Sequence, residues 1–274
     1  MKLQILIIFC TFLIHGQCAH ILAVFPHIGK SHFYMFEPFI QKLASIGHDI
    51  TVVSHFPPNK PSPRIKHIDL HTNYDQLFFN SLDLKEIPPL PSPIRIMGMM
   101  AKLTEMGIDC CRFGLKNPEF LQFLKEKPKF DVAIVEFFNT DCFAGVAHYF
   151  EVPMIGILSS AMMPWSNDRF GNPDNPSYIP NHFAMLPQRM TFLERLYNTV
   201  LLIVSKLFYK VINEPASYAL AKVAFGPNLP PLWQVVANSS LFLLNTHFSL
   251  FQARPLVPGI IELGGFHVIP AKKV

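Results

Sequence analysis

Three residues of this sequence have side chains and positions suited to proton transfer. His32 closes the segment Pro26-His27-Ile28-Gly29-Lys30-Ser31-His32, which follows a short apolar run from Ile21 to Phe25. An imidazole titrates near neutral pH and can take a proton from a bound hydroxyl. The N-terminus of a helix disfavours the charged ring, so a base placed there needs a carboxylate to offset the charge it gains. Val135-Glu136-Phe137-Phe138-Asn139-Thr140-Asp141-Cys142 offers two, Glu136 and Asp141, at the end of a second apolar run. Each also has an ordinary structural use. His32 is one of 12 histidines, Asp141 suits a helix N-cap, and Glu136 suits a solvated strand end. His27, His48 and His55 carry weaker cases for chemistry than His32.

Other chemistries fail on spacing. Gly29-Lys30-Ser31 resembles the end of a phosphate-binding loop, but that loop needs a glycine at position 24, where Val24 stands. A dinucleotide fingerprint of three spaced glycines is missing. No His or Cys grouping has metal-ligand spacing, so no metal site is expected. The net charge of +4 comes from scattered Lys and Arg, without a basic stripe interleaved with aromatics, which argues against nucleic acid as a partner.

The elements that must position His32 and its partner follow from the apolar pattern. Ile21 to Phe25 reads as a buried strand. Phe33, Phe36, Ile40, Leu43 and Ile46 recur at helical spacing, with Gly47 as a stop, and Ile50 to Ser54 is a second strand. Strand, helix, strand is a βαβ unit and predicts a parallel sheet. In such a sheet ligands bind at the carboxyl ends of the strands, where His32, Glu136 and Asp141 fall. Ile65 to Leu70, Phe130 to Val135, Pro153 to Leu158, Leu241 to Asn245 and Gly259 to Leu263 extend the strand set. Asn73 to Pro93 and 164–188 read as loop. Ile94 to Lys127 reads as one or two helices, broken near Gly107 and by Pro118. Phe192 to Ile212 is apolar but carries Glu194, Arg195, Asn198, Lys206 and Lys210, so it does not span a bilayer. It reads as an amphipathic helix packed on the sheet, with a helix lying on a membrane surface as the sharper alternative.

Of the 274 residues, 50% are hydrophobic and 15% charged, which excludes a disordered chain. Met1-Lys2-Leu3-Gln4, the apolar run Ile5 to Ile14 and Gly16-Gln17-Cys18 describe a signal peptide over residues 1–19, too short to span a membrane. Cys10 and Cys18 would leave with it. Cys110, Cys111 and Cys142 would then sit in an oxidising compartment, where either of the first two could pair with Cys142. Asn238-Ser239-Ser240 is an N-glycosylation acceptor sequence in that setting.

Several of these segments together resemble the animal UDP-glycosyltransferases, closest to the arthropod type. The resemblance lies in Phe25 to Phe33, Gly47-His48-Asp49-Ile50-Thr51-Val52-Val53-Ser54, Phe130-Asp131-Val132 and Asn139-Thr140-Asp141-Cys142-Phe143. It continues in Met163-Pro164-Trp165, Met190 to Arg195 and Gly264-Gly265-Phe266-His267, in register along the chain. The family implies a GT-B fold of two Rossmann-like α/β halves facing a cleft, the N-terminal half binding the acceptor and the C-terminal half the UDP-sugar. It implies an inverting transfer of a hexose from the UDP-sugar, a co-substrate, to a hydroxyl of a small lipophilic acceptor, as in detoxification. His32 would be the general base. Asp141 would hold the imidazolium, although the family pattern can also be aligned so that Glu136 does. Phe33, Phe137, Phe138, Met162 and Trp165 would wall an apolar acceptor pocket. Residues 20–265 would form the acceptor-binding domain and 266–274 the start of an interdomain linker, with the donor half and its membrane anchor missing. The expected setting is the endoplasmic reticulum lumen, membrane-associated in the full-length form. Two functions are expected: half of an enzyme, inactive alone, or a non-catalytic module that holds lipophilic ligands or pairs with full-length enzyme.

Overall fold

A computed structural model describes residues 18–71 and 92–268. The signal peptide, apart from its last two residues, the polar stretch 72–91 and the end of the expected linker lie outside the described residues.

Seven parallel strands form one sheet in the order β3-β2-β1-β4-β5-β6-β7. They are β1 (His20–Phe25), β2 (Asp49–Ser54), β3 (Ile65–Asp69), β4 (Val132–Glu136), β5 (Met154–Leu158), β6 (Leu241–Leu244) and β7 (Ile260–Glu262). The order runs outward from β1 in one direction and then reverses to β4. This reversal is the doubly wound, Rossmann-like arrangement, and it opens a crevice between the carboxyl ends of β1 and β4. β1 is central: Ile21 pairs with Ile50 on one side and Val132 on the other.

Alternation along β1 supplies two cores. Ile21, Ala23 and Phe25 face helix α1 (Lys30–Ser45), which buries Phe33, Phe36, Ile40 and Ala44 on that side. Leu22 and Val24 face the opposite layer, built from α2 (Ser92–Gly114), α3 (Pro118–Glu126), α4 (Gly145–Phe150), α6 (Glu214–Phe225) and α7 (Leu232–Ala237). Full burial of each large side chain is worth about 1.5–3 kcal/mol, and both faces of the central strands are sealed this way. Phe266 stacks on Phe36, with ring centroids 6.3 Å apart, so the chain still packs on the body where a linker was expected to begin.

The break expected in α2 at Gly107 does not occur. The helix runs through it because the missing side chain lets the backbone approach the turn after β4, where a Cβ would collide with the Asn139 carbonyl oxygen. Asn139 in turn donates from Nδ2 to the Leu103 carbonyl, 2.9 Å. Pro118 does separate the helices. It begins α3 behind the Asn117 N-cap, whose side chain accepts from the Phe120 N–H.

Helix α5 (Phe192–Phe208) starts with a capping box between Thr191 and Glu194 and continues into a π-helical turn, Tyr209–Asn213. Apolar residues lie on both its faces. The inward face carries Asn198, Ser205 and Asn213 with Leu201 and Tyr209, while Leu193, Leu196, Val200, Ile203, Leu207 and Val211 face outward. The inward polar groups are bonded: Asn198 donates to the Pro176 and Ile179 carbonyls, and Asn213 to the Asn139 carbonyl. These bonds fix the helix with its apolar stripe outward. Among the described residues no helix is long and apolar enough to cross a membrane.

Candidate active site

Successive strands deliver side chains to one edge of the sheet. The turn after β1 carries His27 and Gly29 and leads into α1, where His32 occupies the first turn. Glu136 ends β4, Ser159 follows β5 and Asn245 follows β6. The β1–β4 crevice therefore brings His32 and Glu136 together although 104 residues separate them.

His32 Nδ1 lies 2.5 Å from Glu136 Oε1 and 3.0 Å from Ser159 Oγ. The Glu136 side chain is 1% exposed and that of His32 14%, so the carboxylate is sealed and the ring reaches the surface. With Nδ1 held by these oxygens, its proton is fixed there and Nε2 is left as the proton-accepting nitrogen. Asn245 donates from Nδ2 to the Ser159 carbonyl at 3.2 Å, bracing the residue that braces His32.

A second ring backs the first. His27 stacks on His32 with centroids 3.8 Å apart, and Phe138 meets both edge-on, 4.5 Å from His32 and 5.0 Å from His27. Burial holds His27 well below the ordinary histidine range, and the neighbouring rings of His32 and His55 push the same way. Burial likewise lowers His55 to about 4, against a smaller pull from Asp69.

Asp141 does not meet His32. Its Oδ2 lies 2.7 Å from Arg169 Nη1, and both side chains are buried. It stands at the N-cap position of the 3-10 turn Cys142–Ala144 but makes no capping bond there. Burial raises its carboxyl above the usual range, partly offset by Arg169 and the Tyr209 hydroxyl. Arg169 also sits over the Tyr209 ring, 4.7 Å from its centre. The carboxylate beside the imidazole is therefore Glu136. In sequence both acids fall near the same sheet edge, and the resemblance places the partner role on Asp141 with Glu136 as the alternative. They differ in which neighbour the fold supplies.

The expected pocket walls separate in space. Phe138 lies against His32. Phe33 is core between Phe25 and Phe56, Phe137 packs on Phe242, and Met162 belongs to the core on the opposite face of the sheet from Phe33. Trp165 stacks on Tyr209 at 4.7 Å and lines a cavity of about 610 Å³ with Arg169, Lys206, Tyr218 and Trp233, which does not include His32. Sequence reading ranks His27 below His32 and singles out none of Ser159, Arg169 and Tyr209. Only Ser159 left a signal, its place directly after an apolar strand ending at the same edge. Cys111 bonds Cys142 and Cys110 stays free, its buried thiol pushed up to about 12. The described residues contain no grouping of His, Cys, Asp or Glu able to hold a metal ion.

Parallel sheet and switch-point reversal define a Rossmann-like α/β protein with an imidazole–carboxylate pair at the carboxyl edge of the sheet. A family profile described as UDP-glucoronosyl and UDP-glucosyl transferase matches residues 21–274, and the chain belongs to that family. It is 34% identical to UDP-glucosyltransferase 2 of Dactylopius coccus over 97% of its own length and 51% of that protein's. It is 25% identical to UDP-glucuronosyltransferase 1A7 of Rattus norvegicus, over 94% and 51%. The chain thus spans about half the length of these relatives. Among solved structures, the calicheamicin glycosyltransferase CalG4 aligns with a TM-score of 0.46 at 12% identity, covering 90% of this chain and 52% of its own.

Proposed function

We propose that this chain is the acceptor-binding half of an inverting UDP-glycosyltransferase in which His32 is the general base and Glu136 its partner. The observation that carries the reading is the 2.5 Å contact between His32 Nδ1 and Glu136 Oε1 at the mouth of the β1–β4 crevice. His32 Nε2 accepts the proton of an acceptor hydroxyl as that oxygen attacks the anomeric carbon of the sugar. The C–O bond to UDP breaks from the opposite side, which inverts the configuration. Glu136 stabilises the imidazolium, as it must, because the ring sits in the first turn of α1, where the helix dipole opposes positive charge. A general base of this kind contributes about 10²–10⁴ in rate. The acceptor is a small lipophilic molecule with a hydroxyl, and the UDP-sugar is held mainly by a second half.

The proposed setting is the endoplasmic reticulum lumen. The Cys111–Cys142 disulfide suits an oxidising compartment, and Asn238 is exposed at the end of α7, open to glycosylation. The outward stripe of α5 supports contact with a membrane surface along residues 192–212.

The test joins residues 18–268 to the C-terminal half of the Dactylopius coccus relative and measures transfer from UDP-glucose to a phenol. The fusion is expected to transfer, the His32→Ala fusion to lose at least about 10²-fold, and the isolated chain to transfer nothing. An active His32→Ala fusion, or transfer by the isolated chain, would overturn the proposal.

A further inference from the structure

The pair at the crevice has an unassigned neighbour. Gly29 N–H donates to His27 Nδ1 at 2.9 Å, which makes Nδ1 an acceptor and puts the proton of the neutral ring on Nε2. That Nε2 is buried with no protein partner, and so is Glu136 Oε2, the oxygen His32 does not use. Both residues line one small space of about 10 Å³, together with Cys110, Phe138 and the turn at Asn139 and Thr140. The space is about the volume that admits a single water, and one unpartnered buried donor and one unpartnered buried acceptor among its lining residues would give that water two of the partners it needs.

We propose that His27 is a positioning residue for the acid–base pair: it pins the His32 ring by stacking and, through one bridging water, donates from Nε2 to the second oxygen of Glu136. Two observations carry this independently, the 3.8 Å stack and the two orphaned atoms at one small cavity. The chemistry is consistent from every side. His32 faces His27 from α1, His55 from the end of β2, Glu136 from β4 and Cys110 from α2. Burial keeps His27 neutral, so it does not repel the charge His32 acquires. Gly29 belongs to the same device: a Cβ there would stand 2.8 Å from the His27 ring and displace it.

The inference deepens the reading of His32 and Glu136 and rests on it. Its test reads ring chemistry rather than sugar transfer, so the two can fail separately. The first measurement is nitrogen-15 NMR of the histidine rings in the full chain. His27 is expected in the neutral Nε2–H form from pH 5 to 8, with slow exchange of that proton, and His32 with its proton on Nδ1. A His27 protonated on Nδ1, or titrating across that range, overturns the proposal without any variant. The second measurement compares His27→Phe, which keeps the stack and removes the donor, with His27→Gln, which restores a donor. Exchange of the His32 Nδ1 proton with water is expected to quicken about tenfold in the Phe variant, the value of one lost hydrogen bond, and to recover in part in the Gln variant. Unchanged exchange in a folded Phe variant reduces His27 to core filling and also overturns the proposal. If the Phe variant does not fold, the tautomer in the unsubstituted chain decides.

Discussion

Glu136 ends β4 and Asp141 lies five residues on, at the turn that follows; both are nearly inaccessible, and the fold uses them in opposite ways. Glu136 pairs with a ring that can gain and lose a proton and is still 14% exposed. Asp141 pairs with a guanidinium that stays charged and is sealed under Tyr209 and Trp165. The first pair can change charge during a reaction; the second cannot. A carboxylate's role is set by the titration range and access of its partner, not by its own type or its place in the sequence. The Asp141 side is also tied covalently, because Cys142 next to it is bonded to Cys111. One acid sits beside the imidazole, the other in the clamp that holds the β4 turn in place.

The largest expected effect separates the two acids by turnover. In a fusion carrying a donor half, Glu136→Gln should lower the rate of transfer by about 10²-fold or more, or roughly 3 kcal/mol in barrier. Asp141→Asn, measured per folded molecule, should change it only a few-fold. Equal losses from the two substitutions would break the comparison.

Stability should show the reverse order. Asp141→Asn leaves Arg169 buried beside a neutral amide, and breaking a buried pair from one side costs about 3–5 kcal/mol. The melting temperature should fall by about 10 °C or more, with a much smaller shift for Glu136→Gln. Removing the disulfide attacks the same clamp. Its 31-residue separation predicts a loss of about 3–4 kcal/mol for Cys142→Ala, and peptide mapping should find Cys111 linked and Cys110 as a free thiol.

Much of this arrangement was legible in the sequence. Apolar runs of strand length alternating with helical spacing gave the parallel sheet, and that sheet alone put His32 and a β4 carboxylate at one edge. Which carboxylate meets the ring was not legible, because Glu136 and Asp141 satisfy the same pattern, and the choice depends on Arg169 arriving from a 3-10 turn 28 residues beyond Asp141. Phe33, Phe137 and Met162 could not be told from pocket walls, since a core side chain and a lining side chain are chemically alike. Gly107 misled for a related reason: a helix-weakening residue is also the one that permits close approach.

A pH scan reaches the imidazole side of the comparison. Burial holds His55 at about 4, so between its ordinary value near 6.5 and about 4 the unfolded chain binds a proton that the folded chain refuses. Stability should therefore fall as pH drops through that window, by about 3 kcal/mol from His55 alone, with His27 adding in the same direction. Asp141 contributes with the opposite sign. Its carboxyl is raised by burial, so its contribution is full below the ordinary aspartate value and is lost as pH climbs through the raised one. Denaturant unfolding from pH 4 to 7 should give a slope that His55→Phe flattens and Asp141→Asn, which removes the opposing contribution, steepens.

The smallest effect on the fold tests the outward apolar stripe of α5. Ile203 and Leu207 are about half exposed, so Glu at either should move stability by no more than about 0.5 kcal/mol. The inward face would not notice, since Asn198 and Asn213 hold it through hydrogen bonds to the rest of the fold. Membrane contact should suffer much more, because each substitution puts a carboxylate where the stripe would enter the headgroup region. Flotation with vesicles of phosphatidylcholine and phosphatidylserine should carry the unsubstituted chain upward and leave the Ile203→Glu, Leu207→Glu double variant at the bottom. Equal flotation of the two, with equal melting temperatures, would remove the membrane from the account of α5.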